Sequence, residues 1–118
     1  MSKKHSRAKS FDYALQGLKA ALNDEPNFKI HLIISILALL LGLYLKFSTT
    51  EWAILTLTIA LVLVLELINT SIESFLDVVS PEKRPQVKKA KDTVAAAVLV
   101  SALASLVIGG LLFLPKLI

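Results

Sequence analysis

The stretch LVLVLELINTSIESFLDVV, Leu61–Val79, decides how the chain is read. It opens on five apolar residues, then places Glu66, Asn69, Glu73 and Asp77 among Leu, Ile, Phe and Val. On a helix turning 100° per residue these four polar groups fall within roughly 80° of one another, as one stripe. A carboxylate deep in a spanning helix costs on the order of 2.5–3.5 kcal/mol on insertion scales, so it faces a partner or a cavity rather than lipid.

The apolar background is membrane-like. Of 118 residues, 55% are hydrophobic, and the mean hydropathy is +0.70, above what a soluble domain of this size carries. Working outward from the stripe, 52–68 is an apolar span whose edge is marked by Trp52, an aromatic suited to the membrane interface. Residues 30–47 form a span before it, interrupted only by His31 and Ser35 ahead of Lys46. Residues 94–114 form a span after it, closed by Pro115 and Lys116. Between the second and third spans, SPEKRPQVKKAK (80–91) reads as a polar loop. Ahead of the first, Phe11, Ala14, Leu15, Leu18, Ala21 and Leu22 recur at helical spacing, so 11–23 reads as an amphipathic helix on a membrane surface. Asn23-Asp24-Glu25-Pro26 breaks it, and 1–10 is a basic tail. The whole is expected to be one all-α membrane domain with three transmembrane helices and an N-terminal interfacial helix.

Charge sets the orientation. Lys3, Lys4, Arg7, Lys9, Lys19 and Lys29 precede the first span, and Lys83, Arg84, Lys88, Lys89 and Lys91 lie between the second and third. Only Lys46 and Lys116 fall on the other side. Positive residues stay in the cytoplasm, which places the N-terminus and the 80–91 loop there. Topology accounts for the net charge of +4, and nucleic acid is not expected as a partner. The basic start is not followed directly by an apolar run and does not read as a signal peptide. With no cysteine and four glycines, the chain holds no disulfide, no thiolate metal site and no glycine-rich phosphate loop.

Two readings of the stripe compete. It is either a polar seam between helices, or a site. Asp77 also suits a solvated place near the interface. As a site, carboxylates at a cytoplasmic membrane edge suit Mg²⁺, which binds one or two carboxylates together with phosphate oxygens. Glu25 lies on the same side and can join Glu73 there, and Lys91 and Asp92 begin the third span at that depth. Ala97, Ser101, Ser105 and Gly109 form a small-residue ridge read as packing, and His31 is read as an interfacial or packing residue.

Three segments carry a resemblance: YALQGLKAALNDEPNFK (13–29), ELINTSIESFLD (66–77) and AKDTVAAAVL (90–99). The chain resembles the prokaryotic integral-membrane diacylglycerol kinase and undecaprenol kinase family over nearly its whole length. The family pattern E-[IL]-[IL]-N-x-x-I-E-x-x-x-D is matched at Glu66, Asn69, Ile72, Glu73 and Asp77, and A-K-D at Lys91 and Asp92. The resemblance implies a homotrimer in the bacterial inner membrane, with active sites shared between subunits. It implies transfer of the ATP γ-phosphate to a lipid alcohol, with Mg²⁺. Glu66 is then the catalytic base, and Asn69 orients it. Glu25 and Glu73 hold the metal, and Tyr13, Lys91 and Asp92 meet the nucleotide. The E-Y-H common in the family's loop reads Glu82-Lys83-Arg84 here, so Glu82 and Arg84 carry over as nucleotide contacts only weakly. The NFKIHL turn and the 48–73 region resemble the undecaprenol branch more than the diacylglycerol branch. A non-enzymatic membrane oligomer or pore is the alternative of another class.

Overall fold

The structure is a computed structural model and describes residues 6–118. Four helices follow one another: α1 (Arg7–Asp24), α2 (Pro26–Tyr44), α3 (Thr49–Val79) and α4 (Pro85–Leu117). α3 packs most extensively on α4, less on α2, and α1 rests on α2. Three of the four, α2, α3 and α4, are long and apolar enough to cross a membrane. Their apolar side chains mostly face outward: Leu57, Leu106 and Leu111 are each more than 70% exposed. In water such a surface is untenable, and against hydrocarbon it is what a spanning helix presents.

α1 begins four residues earlier than apolar periodicity indicates. Ser6 is its N-cap, and its Oγ accepts the Lys9 backbone N–H at 3.2 Å, satisfying one of the helix's unpaired donors. The part of the basic tail at residues 1–5 lies outside the described residues. The break at 23–26 is sharp. Glu25 closes α1 by giving its N–H to the Ala21 carbonyl at 2.9 Å, and Pro26 opens α2 in the first turn, where its missing N–H is harmless.

α3 is one unbroken helix of 31 residues, about 45 Å at 1.5 Å per residue, against a hydrocarbon core of about 30 Å. It therefore carries the acid stripe toward and past the end of the apolar run. The segment 80–91 is shorter as a loop than its composition indicates. Helix resumes at Pro85, so 85–91 forms the first two turns of α4. At the other end Pro115 does not close the helix, which continues to Leu117. Pro115 gives up one backbone bond to the preceding turn, and α4 carries that loss beside its C-terminal end.

An aromatic corner packs at the end away from the acid stripe. α2 closes with Lys46 in the left-handed region, φ 55°, and two backbone bonds: Phe47 N–H to Gly42 at 3.1 Å and Lys46 N–H to Leu43 at 3.2 Å. This cap turns Phe47 back onto Trp52, with ring centroids 5.7 Å apart, and onto Phe113, 5.0 Å apart. Ser48 and Glu51 form a reciprocal cap on α3, and Glu51 also holds Lys116 of α4 at 3.0 Å.

Gly42 makes that corner possible. A Cβ there meets the Trp52 ring at 2.9 Å and the Phe47 ring at 3.2 Å. Gly42→Val is expected to lower stability by about 1–3 kcal/mol, the usual penalty for overpacking. Thermal unfolding in detergent checks this. Gly17→Ala, whose added carbon meets nothing within 4 Å, is the control that does not fall.

Candidate active site

Glu66 is the most buried member of the stripe, 3% exposed, on the face of α3 that meets α2. Its Oε1 lies 3.4 Å from Nε2 of His31. The charges of Glu25 and Glu73 also reach it, so three carboxylates and one imidazole share this region. One turn along, Asn69 donates through Nδ2 to Oε1 of Glu73 at 3.3 Å. Its Oδ1 is buried and, among the described residues, has no hydrogen-bond partner. Thr70 donates through Oγ1 to Glu25 at 3.3 Å and ties the joint between α1 and α2 to α3.

Two clefts flank this group. The first, about 660 Å³, lies between α1 and α3 and is lined by Ala14, Gly17, Asp24, Glu25, Thr70 and Ser74 among others. Tyr13 stands beside Ala14 on α1, half-exposed. The second, about 610 Å³, lies at the α3–α4 turn. It gathers Glu82, Arg84, Lys91 and Asp92, with Asp77 on its wall. Lys91 donates to Asp77 at 2.6 Å, Lys88 to Asp92 at 2.6 Å, and Arg84 to Glu82 at 3.3 Å. Lys91 precedes the apolar run, and its hydrogen bond to Asp77 holds its ammonium above the ordinary lysine range, so it stays charged.

One chain thus brings Glu25, Glu66, Asn69 and Glu73 together and gathers Glu82, Arg84, Lys91 and Asp92 at the α3–α4 turn, where the charge of Glu73 also reaches Lys91. Two participants escaped the sequence reading. Thr70 carries no signal beyond lying within the stripe's segment. His31 does: it is a lone histidine at the start of an apolar span, and the structure seats it on the buried acid rather than leaving it to packing.

A long apolar bundle with the buried Glu66, the half-buried Glu25 and Glu73, and a cleft lined by lysine and arginine toward the same end suits a membrane enzyme that handles phosphate. Comparison with known proteins makes this specific. A family profile described as prokaryotic diacylglycerol kinase matches residues 12–113, and the chain belongs to that family. It is 40% identical over 109 residues to undecaprenol kinase of Bacillus subtilis, covering 92% of this chain and 89% of the relative. It is 37% identical over 110 residues to a diacylglycerol kinase of Synechocystis, covering 92% of this chain and 63% of the relative. A diacylglycerol kinase of Helicobacter pylori is 39% identical over 92 residues, 78% of this chain and 72% of the relative. The protein is a membrane lipid kinase, and the reading as a non-enzymatic oligomer falls away.

Proposed function

We propose that the chain transfers the γ-phosphate of ATP to undecaprenol at the cytoplasmic face of the bacterial inner membrane, as a homotrimer. The observation that carries this is Glu66, a buried carboxylate held among apolar helices beside an imidazole. The relative named undecaprenol kinase, similar over most of both chains, supports the polyprenol. Diacylglycerol is the alternative acceptor.

In the reaction the lipid O–H gives up its proton as its oxygen bonds to the γ-phosphorus. The bond from that phosphorus to the bridging oxygen breaks, and ADP leaves with the electron pair. Glu66 is the carboxylate on which the proton transfer rests, and Asn69 orients the reacting groups. Tyr13, Lys91 and Asp92 meet the nucleotide, with Glu82 and Arg84 at its edge. Positioning and charge neutralisation supply most of the catalysis in phosphoryl transfer.

The donor set fits Mg²⁺. Glu25, Glu73 and the unpartnered Asn69 Oδ1 are hard oxygens. Among the described residues no three or more Asp, Glu, His or Cys form a ready metal cage, so phosphate oxygens would complete the shell. Bound there, the ion would neutralise phosphate charge. α1, with Phe11 72% and Leu15 60% exposed, suits a helix lying at the interface.

The test offers undecaprenol and diacylglycerol side by side to the purified protein with ATP and Mg²⁺. Undecaprenyl phosphate is expected to exceed phosphatidic acid at least tenfold. The opposite preference overturns the acceptor and keeps the kinase.

A further inference from the structure

A serine or threonine inside a helix commonly gives its hydroxyl proton to its own backbone one turn back. Five residues of this chain do so. Ser35 donates to the His31 carbonyl, Thr58 to Ile54, Thr93 to Lys89, Ser101 to Val98 and Ser105 to Ala102, each at 2.7 Å. Thr70, in the middle of the acid stripe's segment, departs from this pattern. Its Oγ1 donates out of α3 to Oε1 of Glu25, 45 positions away, at 3.3 Å.

Glu25 is the joint between α1 and α2, and its backbone is fixed from both sides. Its N–H goes to the Ala21 carbonyl at 2.9 Å, and its own carbonyl takes the Lys29 N–H at 3.2 Å. Pro26 after it keeps it extended, φ −114° and ψ 100°. None of this directs the carboxylate, which sits half-buried at the end of a flexible side chain. The Thr70 hydroxyl, on a stiff branched side chain, supplies that constraint. The preceding residue acts in the same way on Glu73, whose Oε1 accepts from Nδ2 of Asn69 at 3.3 Å. Two consecutive residues of α3 thus each hold one oxygen of one carboxylate, and each bond leaves the other oxygen outside it.

We propose that Thr70 is a positioning residue: its hydroxyl orients the Glu25 carboxylate toward the divalent cation, and affinity for that cation depends on it. This rests on the reading of Glu25 and Glu73 as cation ligands and deepens it. A ligating carboxylate already held by a hydrogen bond does not have to be ordered when the ion arrives. A hydroxyl suits the task because it is neutral: it directs the carboxylate and leaves intact the negative charge that attracts the ion. A single neutral bond of this length adds little to stability, so its removal is felt in the direction of Glu25 rather than in the fold.

The experiment titrates Mn²⁺, a spectroscopic substitute for Mg²⁺, into purified protein together with a non-hydrolysable ATP analogue, and counts bound ion by electron paramagnetic resonance. Wild type is compared with Thr70→Val, Thr70→Ser, Glu25→Ala and the Thr70→Val/Glu25→Ala double variant, each shown by elution and melting to be folded. Thr70→Val keeps the branched shape and removes the hydroxyl. It is expected to weaken Mn²⁺ binding about tenfold or more, the usual loss when an outer partner of a metal ligand is removed. The Mg²⁺ concentration giving half-maximal lipid phosphorylation is expected to rise by a similar factor, with kcat at saturating Mg²⁺ within about threefold of wild type. Thr70→Ser, which keeps the hydroxyl, is expected to bind Mn²⁺ within about threefold of wild type. In the Glu25→Ala background Thr70→Val is expected to add nothing, because a residue acting through another has no effect once that other is gone. Folded Thr70→Val that binds Mn²⁺ within about threefold of wild type, while Glu25→Ala does not, overturns the role of Thr70 and leaves the cation site standing. A Thr70→Ser loss equal to that of Thr70→Val, or a full further loss in the double variant, overturns it as well. Glu25→Ala that binds Mn²⁺ as wild type does overturns the reading of Glu25 as a ligand, and the role of Thr70 with it.

Discussion

Glu66→Gln is expected to lower the kcat of lipid phosphorylation by about 10²–10⁴-fold, the usual contribution of general acid–base catalysis. The substitution keeps the size and polarity of the side chain and removes its charge. Glu66 is buried and makes its closest polar contact with His31, so the loss falls on the proton transfer rather than on packing. The KM for ATP is expected to change little, because the basic cleft lies at the α3–α4 turn, away from the Glu66–His31 pair. Single-turnover rates with saturating ATP, on protein whose elution and melting match wild type, separate the two. Near-normal turnover would return Glu66 to the role of a polar seam between helices. A buried carboxylate kept only for assembly is the costlier explanation, since an apolar residue of similar volume fills the same space more cheaply.

The second large effect concerns Lys91. Lys91→Met is expected to reduce kcat/KM for ATP by about 10²–10³-fold, the scale seen when a single charge-stabilising donor is removed. Lys91 is charged, and it lines, with Lys83, Arg84 and Lys88, a cleft whose acids Asp77, Glu82 and Asp92 are each held by one of these cations. Lys91→Arg is expected to recover part of the loss, since guanidinium keeps the charge but not the compact ammonium geometry. The resting partner of Lys91 is Asp77, which the nucleotide must displace. An unchanged kcat/KM in folded Lys91→Met would confine Lys91 to that ion pair. The assay is ATP titration at saturating lipid and fixed ionic strength, because salt screens this cleft.

The spans and the stripe were legible because both are written in periodicity. Apolar runs of spanning length stand out, and Glu66, Asn69 and Glu73 fall on one helical face by arithmetic alone. Helix ends were less legible. The start of α1 depends on the Ser6 cap, a single hydrogen bond within polar sequence. The start of α4 lies in 85–91, where polar composition reads as loop while Pro85 in fact opens a helix. The candidate catalytic carboxylates were assigned through the family pattern, and their pairings came only with the structure. Nothing in the sequence fixes how α2 is rotated against α3, so the approach of His31 to Glu66 over 35 positions was invisible. The Lys91–Asp77 pair was hidden in the same way by the turn between α3 and α4.

The corner built by Gly42, Phe47, Trp52 and Phe113 gives the molecule a handle and tines. Rings packed edge-on and tilted against one another, a shared carboxylate and a tight reversal at Lys46 clamp the far ends of α2, α3 and α4 to one another. At the opposite end Ala21 and Phe28 are buried at the α1–α2 joint, but most side chains at the α3–α4 turn are exposed and held by single polar pairs. A fork held at its handle flexes at its tips. Opening and closing around an incoming lipid head and nucleotide therefore needs no repacking of the clamped end: small rotations about that fixed base, multiplied along helices of 31 and 33 residues, move the tips.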